Sequence, residues 1–268
     1  MDPVPGTATF AMPAASYDGF MGRYSTKLAV PFADFAGIRP GVRALDVGCG
    51  PGALTAELAR RLGAASVAGC DPSPHFLAAC RERNPGVDLR AGSAEQVPFD
   101  AAGFDAVLAQ LVLHFVGDPE RAAAEFIRVA RPGAVLAACV WDLGGDMQLL
   151  RSFWDAALSI DPDAPAEARG LRFGRQGEIA GWLADAGLAD VTEATLSVTS
   201  EYTDFDEVWA TMLAGVGPAG SYCAALPPEP RQALRAAWFA GLGRPSGSLT
   251  LRASAWAARA VLPGEPPG

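Results

Sequence analysis

Apolar residues recur along this chain in two different rhythms. Between residues 16 and 36 they fall at Tyr17, Phe20, Met21, Tyr24, Leu28, Phe32 and Phe35. Spacings of three and four dominate, which predicts one or two amphipathic helices. The cluster Ile38-Arg39-Pro40-Gly41 closes them in a turn. Short apolar runs then alternate with helical stretches. Residues 43–47 read as a strand, 48–52 as a glycine loop and 53–62 as a helix. A second strand over 65–70 ends at Asp71, and Ser73 followed by Pro74 caps a helix that runs to about Arg83. A third strand covers 87–91 and a fourth 104–111. Asp118-Pro119-Glu120 repeats the cap-then-proline start of a helix that runs to about Arg131, and Pro132-Gly133 turns into a fifth strand over 134–140. The fourth and fifth runs are apolar almost throughout, as strands covered on both faces are.

The later chain is less regular. Residues 143–173 carry no clear period, and 1–15 read as a loose tail. A helix is expected over 175–186, ended by Gly187, and 190–200 alternate as a strand does. Helices over 206–213 and 229–242 flank a Gly/Pro-rich break at 215–230. Residues 248–261 read as a last strand, with helix as the alternative from Trp256 onward. Strands and helices alternating at these lengths imply an α/β, Rossmann-like, doubly wound and mostly parallel sheet. Seven strands are expected, with helices before the sheet and a helical insertion late in it. The expected organisation over 1–268 is one domain: an N-terminal helical segment (1–40), a core (41–142), and late strands with helical lid insertions (143–268).

Composition narrows the partners. Half of the 268 residues are apolar and 19% are charged, which excludes wholesale disorder. The net charge of −9 argues against nucleic acid and anionic membrane surfaces, because polyanions are bound by Lys and Arg. No window is long and apolar enough for a membrane span, and residues 1–12 lack the pattern of a signal peptide, so a cytoplasmic protein is expected. The five cysteines are scattered, without a C-x-x-C, so neither a disulfide framework nor a metal site is expected.

The chemistry concentrates at residues 44–52, A-L-D-V-G-C-G-P-G, between a strand and a helix. Gly48, Gly50 and Gly52 permit a tight turn and let a ligand approach the backbone with no Cβ in the way. The following helix offers free N–H groups to an anion. Asp46 at the strand end is placed to meet a cation. No Lys-Ser/Thr follows, which excludes a P-loop. Gly48-x-Gly50-x-x-Ala53 also satisfies the relaxed dinucleotide pattern, and a carboxylate such as Asp71 at the second strand's end suits a ribose in either cofactor class.

Together with Gly92-Ser93-Ala94-Glu95-Gln96-Val97-Pro98-Phe99, Phe104–Gln110 and Arg131–Leu136, in that order and spacing, the glycine segment resembles the class I S-adenosylmethionine (SAM) dependent methyltransferases. The resemblance is good over about residues 16–142 and holds only in outline beyond. It implies SAM as cofactor, S-adenosylhomocysteine as product, and a small-molecule methyl acceptor at an O, N or C atom. It implies cofactor contacts from Asp46, Gly48, Cys49, Gly50, Asp71, Pro72, Ser93, Ala94, Glu95 and Gln110. Ser93 stands where the family commonly carries Asp. Tyr17–Thr26 resembles a segment that closes over SAM in one branch, which would set Arg23 against the cofactor carboxylate and Tyr17 or Met21 beside the sulfonium.

Away from the cofactor, His114 at the mouth of the fourth strand is the candidate general base, because an unperturbed imidazole titrates near neutrality. Trp141, Asp142 and Trp209 are the candidate acceptor-pocket residues. Two alternatives stand beside the enzyme: a non-catalytic SAM-binding regulatory subunit, and an NAD(P)-binding oxidoreductase. The Tyr-x-x-x-Lys version of the latter fails, because Lys27 is the only lysine and precedes the first strand.

Overall fold

The computed structural model describes residues 17–166 and 172–264; the tail expected over 1–15 lies outside them. The strands are β1 (Ala44–Val47), β2 (Val67–Asp71), β3 (Asp88–Ala91), β4 (Phe104–Gln110), β5 (Ala130–Trp141), β6 (Ala189–Tyr202) and β7 (Leu249–Val261). The helices are α1 (Arg23–Phe35), α2 (Ala53–Leu62), α3 (Pro74–Arg83), α4 (Pro119–Val129), α5 (Gln148–Ile160), α6 (Glu178–Asp185), α7 (Phe205–Leu213), α8 (Gly217–Ala225) and α9 (Pro228–Gly241). A short π-helical turn, Asp18–Gly22, leads into α1.

The seven strands form one sheet in the order β3-β2-β1-β4-β5-β7-β6. All neighbours pair in parallel except β5 with β7 and β7 with β6, which pair antiparallel. This is the expected mostly parallel, doubly wound sheet. The order reverses at β1, whose neighbours are β2 on one side and β4 on the other, and that switch leaves a crevice beyond the carboxyl ends of β1 and β4. β1, β2 and β4 are buried over nearly every residue, because helices cover both faces. Leu28 and Phe32 of α1, Leu54 and Leu58 of α2, and Phe153 of α5 pack one face. Phe126 of α4 and Ile179 and Trp182 of α6 pack the other.

The caps act as the sequence suggests. Ser73 accepts from Phe76 N at 3.4 Å, and Asp118 accepts from Arg121 N at 3.0 Å. Elsewhere the structure corrects the expectation. Pro132-Gly133 does not precede the fifth strand but lies inside it. The register shifts so that Phe104 pairs with Ala130 and Ala106 with Val135, a bulge that suits a residue without an N–H and a glycine at φ 81°. A 13-residue helix, α5, stands where no period was expected, and α8 occupies the Gly/Pro-rich break. β7 is strand to its end. α7, α8 and α9 form the late insertion between β6 and β7.

Candidate active site

The glycine loop hangs from the end of β2. Gly48 N and Cys49 N both donate to Cys70 O, at 2.8 and 2.9 Å. Gly48 has φ 70°, and a Cβ there would lie 2.5 Å from Val112 Cγ2. Gly52 has φ 100°, and a Cβ would strike Asn84 Nδ2 and Cys80 Sγ at 2.4 and 2.8 Å. Both positions therefore need glycine twice over, for conformation and for space.

Two carboxyl groups flank this loop. Asp71 Oδ2 accepts from Gly50 N at 2.9 Å and Oδ1 from Ser73 N at 2.8 Å, so each oxygen has one backbone partner and keeps further acceptor capacity. Burial raises its pKa above the ordinary carboxyl value, and the two backbone hydrogen bonds partly offset that rise. Asp46 is deeper, 1% exposed, and accepts from Thr55 Oγ1 at 2.7 Å. Burial pushes its carboxyl up to about 7, against the pull of Thr55 and with the push of the Asp71 charge.

A cleft of about 450 Å³ opens over these strand ends. Gly48, Gly50 and Pro51 form its floor. Asp71, Pro72 and the first turn of α3, with His75 and Phe76, make one wall; Gln110, Leu111, Val112 and Phe115 make the other. Tyr17 borders it and packs on Phe76 with ring centroids 5.5 Å apart. A narrow throat of about 40 Å³ runs inward between Asp46, Cys49, Ser25 and the start of α2, sharing Tyr17, Gly48, Gly50 and Gln110 with the cleft. Leu111 holds φ 65°, a left-handed conformation that costs a leucine about 1–2 kcal/mol. It turns the chain sharply at the end of β4, just before the residues that wall the cleft.

Most of the expected cofactor residues meet here: Tyr17, Asp46, Gly48, Cys49, Gly50, Asp71, Pro72 and Gln110 all line the cleft or its throat. Gln110 is 9% exposed; its Nε2 donates to Ser25 O at 3.0 Å, and its Oε1 is buried with no partner among the described residues. Ser93, Ala94 and Glu95 do not line the cleft. Glu95 is engaged with the loop before α4, accepting from Gly117 N at 2.9 Å through its side chain and from Arg121 Nε through its carbonyl. Arg23 faces away, paired with Glu207 at 2.8 Å, donating to Glu201 O and lying 3.9 Å over the Tyr202 ring.

The catalytic and acceptor candidates lie off this cleft. His114 turns toward the backbone of Phe173 and does not line the cleft; burial pulls its pKa down to about 4. A half-buried imidazole held neutral and off the cleft is not placed to take a proton from an acceptor bound in it. Trp141 is buried and packs edge-on against Tyr24 at 6.2 Å. Asp142 accepts from Asp146 N at 3.1 Å and shapes the turn after β5. Trp209 packs against Trp238 at 6.2 Å. None of the three lines the cleft. Sequence reasoning missed Phe76, Val112 and Phe115 as its walls, and Thr55 as the partner of Asp46. The first turn of the helix after Asp71 was the available signal for Phe76, since a helix entered that directly must face the strand ends.

The residues fit a nucleoside carrying an amino-acid tail. Asp71 keeps acceptor capacity for a diol, the glycine floor lets backbone approach a ligand, the throat is lined by the Asp46 carboxyl, and Gln110, whose amide oxygen lacks a donor, borders both spaces. Among the described residues no cluster of three or more metal-ligating side chains occurs.

Comparison with known proteins agrees with this geometry. Residues 45–138 match the family described as a methyltransferase domain. An uncharacterized protein of Mycobacterium tuberculosis is 32% identical over 155 residues, 56% of this chain and 55% of that one. The phthiotriol/phenolphthiotriol dimycocerosates methyltransferase of Mycobacterium leprae is 39% identical over 99 residues, 36% of this chain and 37% of that one. The chain thus spans about half or less of the length of these curated relatives. A SAM-dependent methyltransferase of Thermotoga maritima superposes with a TM-score of 0.56 at 18% identity, covering 95% of this chain and 98% of that one. Residues 45–138 are thus those of a methyltransferase domain by sequence, and the fold around them is the one solved SAM-dependent methyltransferases adopt.

Proposed function

We propose that the protein binds SAM in the cleft at the ends of β1, β2 and β4 and transfers its methyl group to a small-molecule acceptor. The observation that carries this reading is Asp71. Its two oxygens are oriented by Gly50 N and Ser73 N, and it lines a cleft whose floor is glycine. In that setting it accepts hydrogen bonds from both ribose hydroxyls. Asp46 at the throat faces the cofactor ammonium, held in orientation by Thr55. The free N–H groups opening α2 suit the carboxylate end. Phe76, Val112 and Phe115 exclude water from the adenosine and the reacting centre. The bound cofactor supplies a methyl group activated by a sulfonium; the protein's part is position and desolvation.

A small acceptor is supported by the cleft's size, its largely apolar walls and the charge of −9, which disfavours nucleic acid. No helix among the described residues is long and apolar enough to cross a membrane. Calorimetric titration with S-adenosylhomocysteine, followed by label transfer from methyl-tritiated SAM across a panel of phenols, amines, thiols and enols, tests the reading. Binding plus transfer to one class is expected. Absence of binding would overturn the cofactor assignment, and binding without transfer to any acceptor would overturn the catalytic one.

A further inference from the structure

Gln110 ends β4 with its carboxamide 9% exposed, and its two polar atoms are unequal. Nε2 donates to Ser25 O at 3.0 Å. That contact fixes the orientation of the amide, because a flipped carboxamide would set oxygen against a carbonyl oxygen. The remaining atom, Oε1, is an acceptor, buried and without a donor among the described residues. An unmade hydrogen bond at a buried atom costs about 1–3 kcal/mol, so an oxygen held in this way is built for a ligand's N–H or O–H.

Its position tells which one. Gln110 lines both the main cleft, where Asp71 lies, and the throat, where Asp46 lies. Asp71 and Asp46 each belong to only one of the two. On the reading proposed above, the ribose rests at Asp71 and the amino-acid end enters the throat. The sulfonium that joins them would then sit at the junction, where Tyr17 and Gln110 are the polar side chains; Gln110 is the one that follows directly into the apolar wall of Leu111 and Val112 and carries a buried oxygen without a donor. The ammonium already has the Asp46 carboxyl in the throat.

We propose that Gln110 Oε1 faces the transferable methyl and orients the acceptor by receiving a hydrogen bond from its nucleophilic N–H or O–H. The acceptor class that follows is an amine or hydroxyl compound, not one attacking through a carbon or sulfur that carries no such donor. In the transfer the methyl carbon–sulfur bond breaks with its electron pair going to sulfur, and the acceptor's lone pair forms the new bond to carbon. The acceptor's proton leaves to water, since a carboxamide oxygen is too weak a base to keep it. Gln110 is thus an orienting group and not a general base.

The test needs no knowledge of the acceptor. Sinefungin carries an amino group where SAM carries the sulfonium methyl, whereas S-adenosylhomocysteine carries nothing there. Calorimetry on the full chain is expected to show sinefungin binding about tenfold tighter than S-adenosylhomocysteine, the worth of one charge-assisted hydrogen bond. In Gln110→Met that preference is expected to vanish, sinefungin losing about tenfold more affinity than S-adenosylhomocysteine, whatever loss both share from the missing Ser25 contact. Equal loss for both ligands would give the oxygen to their shared amino-acid end and overturn the proposal, as would a preference that survives the substitution or is absent from the wild type. If Gln110→Met does not fold, a crystal structure of the wild type with sinefungin decides: the amine within about 3 Å of Gln110 Oε1 supports the proposal, and any other partner overturns it. Wild-type protein that binds neither analogue would remove the underlying cofactor reading, a result distinct from binding without preference.

Discussion

The cofactor half of the sheet and the late helical insertions are both rich in apolar residues, yet they use them in opposite ways. Around β1, β2 and β4 the polar side chains are tied to loop backbone or to one another, and the glycine turns hold the chain away from a hollow. Across α5, α7, α8 and α9 the aromatic rings are spent on each other. Trp238, fully buried, meets Phe153 at 5.3 Å, Phe205 at 5.6 Å and Trp209 at 6.2 Å, and its Nε1 donates to Ser152 Oγ at 2.8 Å. Trp154 and Tyr222 close the same cluster at 5.3 Å. Aromatic content therefore does not mark the pocket. Space appears where backbone is forced into turns and polar atoms are left partly satisfied.

The largest expected effect separates the two regions. Trp238→Ala should cost about 3–5 kcal/mol in urea unfolding, while the folded variant keeps S-adenosylhomocysteine affinity within about twofold of wild type. Collapse of binding in that variant would mean the aromatic cluster does shape the cleft.

Asp46 tests the other region. Its carboxyl is raised to about 7 from 3.8 by burial, so the fold favours the protonated form. Its contribution to stability is complete below about pH 4 and is lost as pH rises through about 7. Asp46→Asn should match the wild type near pH 4 and exceed it by about 2–4 kcal/mol at pH 8, measured by urea titrations across pH. The same substitution should weaken S-adenosylhomocysteine and remove the rise in affinity expected between pH 6 and 8, where ionised Asp46 becomes available to an ammonium.

Asp71→Ala should weaken S-adenosylhomocysteine by about 1–3 kcal/mol, roughly fivefold to 150-fold, through stranded hydrogen-bond partners. The smallest effect is expected at His114. With its pKa lowered to about 4 by burial, it adds to stability above about pH 6.5, and that contribution is lost as pH falls through about 4. His114→Ala should flatten this acid-side decline and leave S-adenosylhomocysteine affinity unchanged; weakened binding would return His114 to the cleft.

The contrast also explains what could be read from residue order alone. The cofactor half was legible because its determinants are local: apolar runs, Ser73 and Asp118 caps, and glycines flanking Asp46 within one turn. α5 escaped because Met147 gives it no capping side chain, although Leu149, Leu150, Phe153, Trp154 and Ala157 do line one face. α8 escaped because Gly217-Pro218 and Gly220 resemble a break, whereas a proline in a first helical turn is well placed. Side-chain direction was the least legible property. Arg23 is taken by Glu207, 184 positions away, and His114 turns to Phe173 in a segment with no readable period. Such choices are made by tertiary partners, which spacing along the chain does not encode.

A crystal structure with S-adenosylhomocysteine bears most directly on the central claim. The ribose hydroxyls should lie on Asp71 and the amino-acid end in the throat beside Asp46. A ligand bound elsewhere, or a soaked crystal whose cleft stays empty, would contradict it.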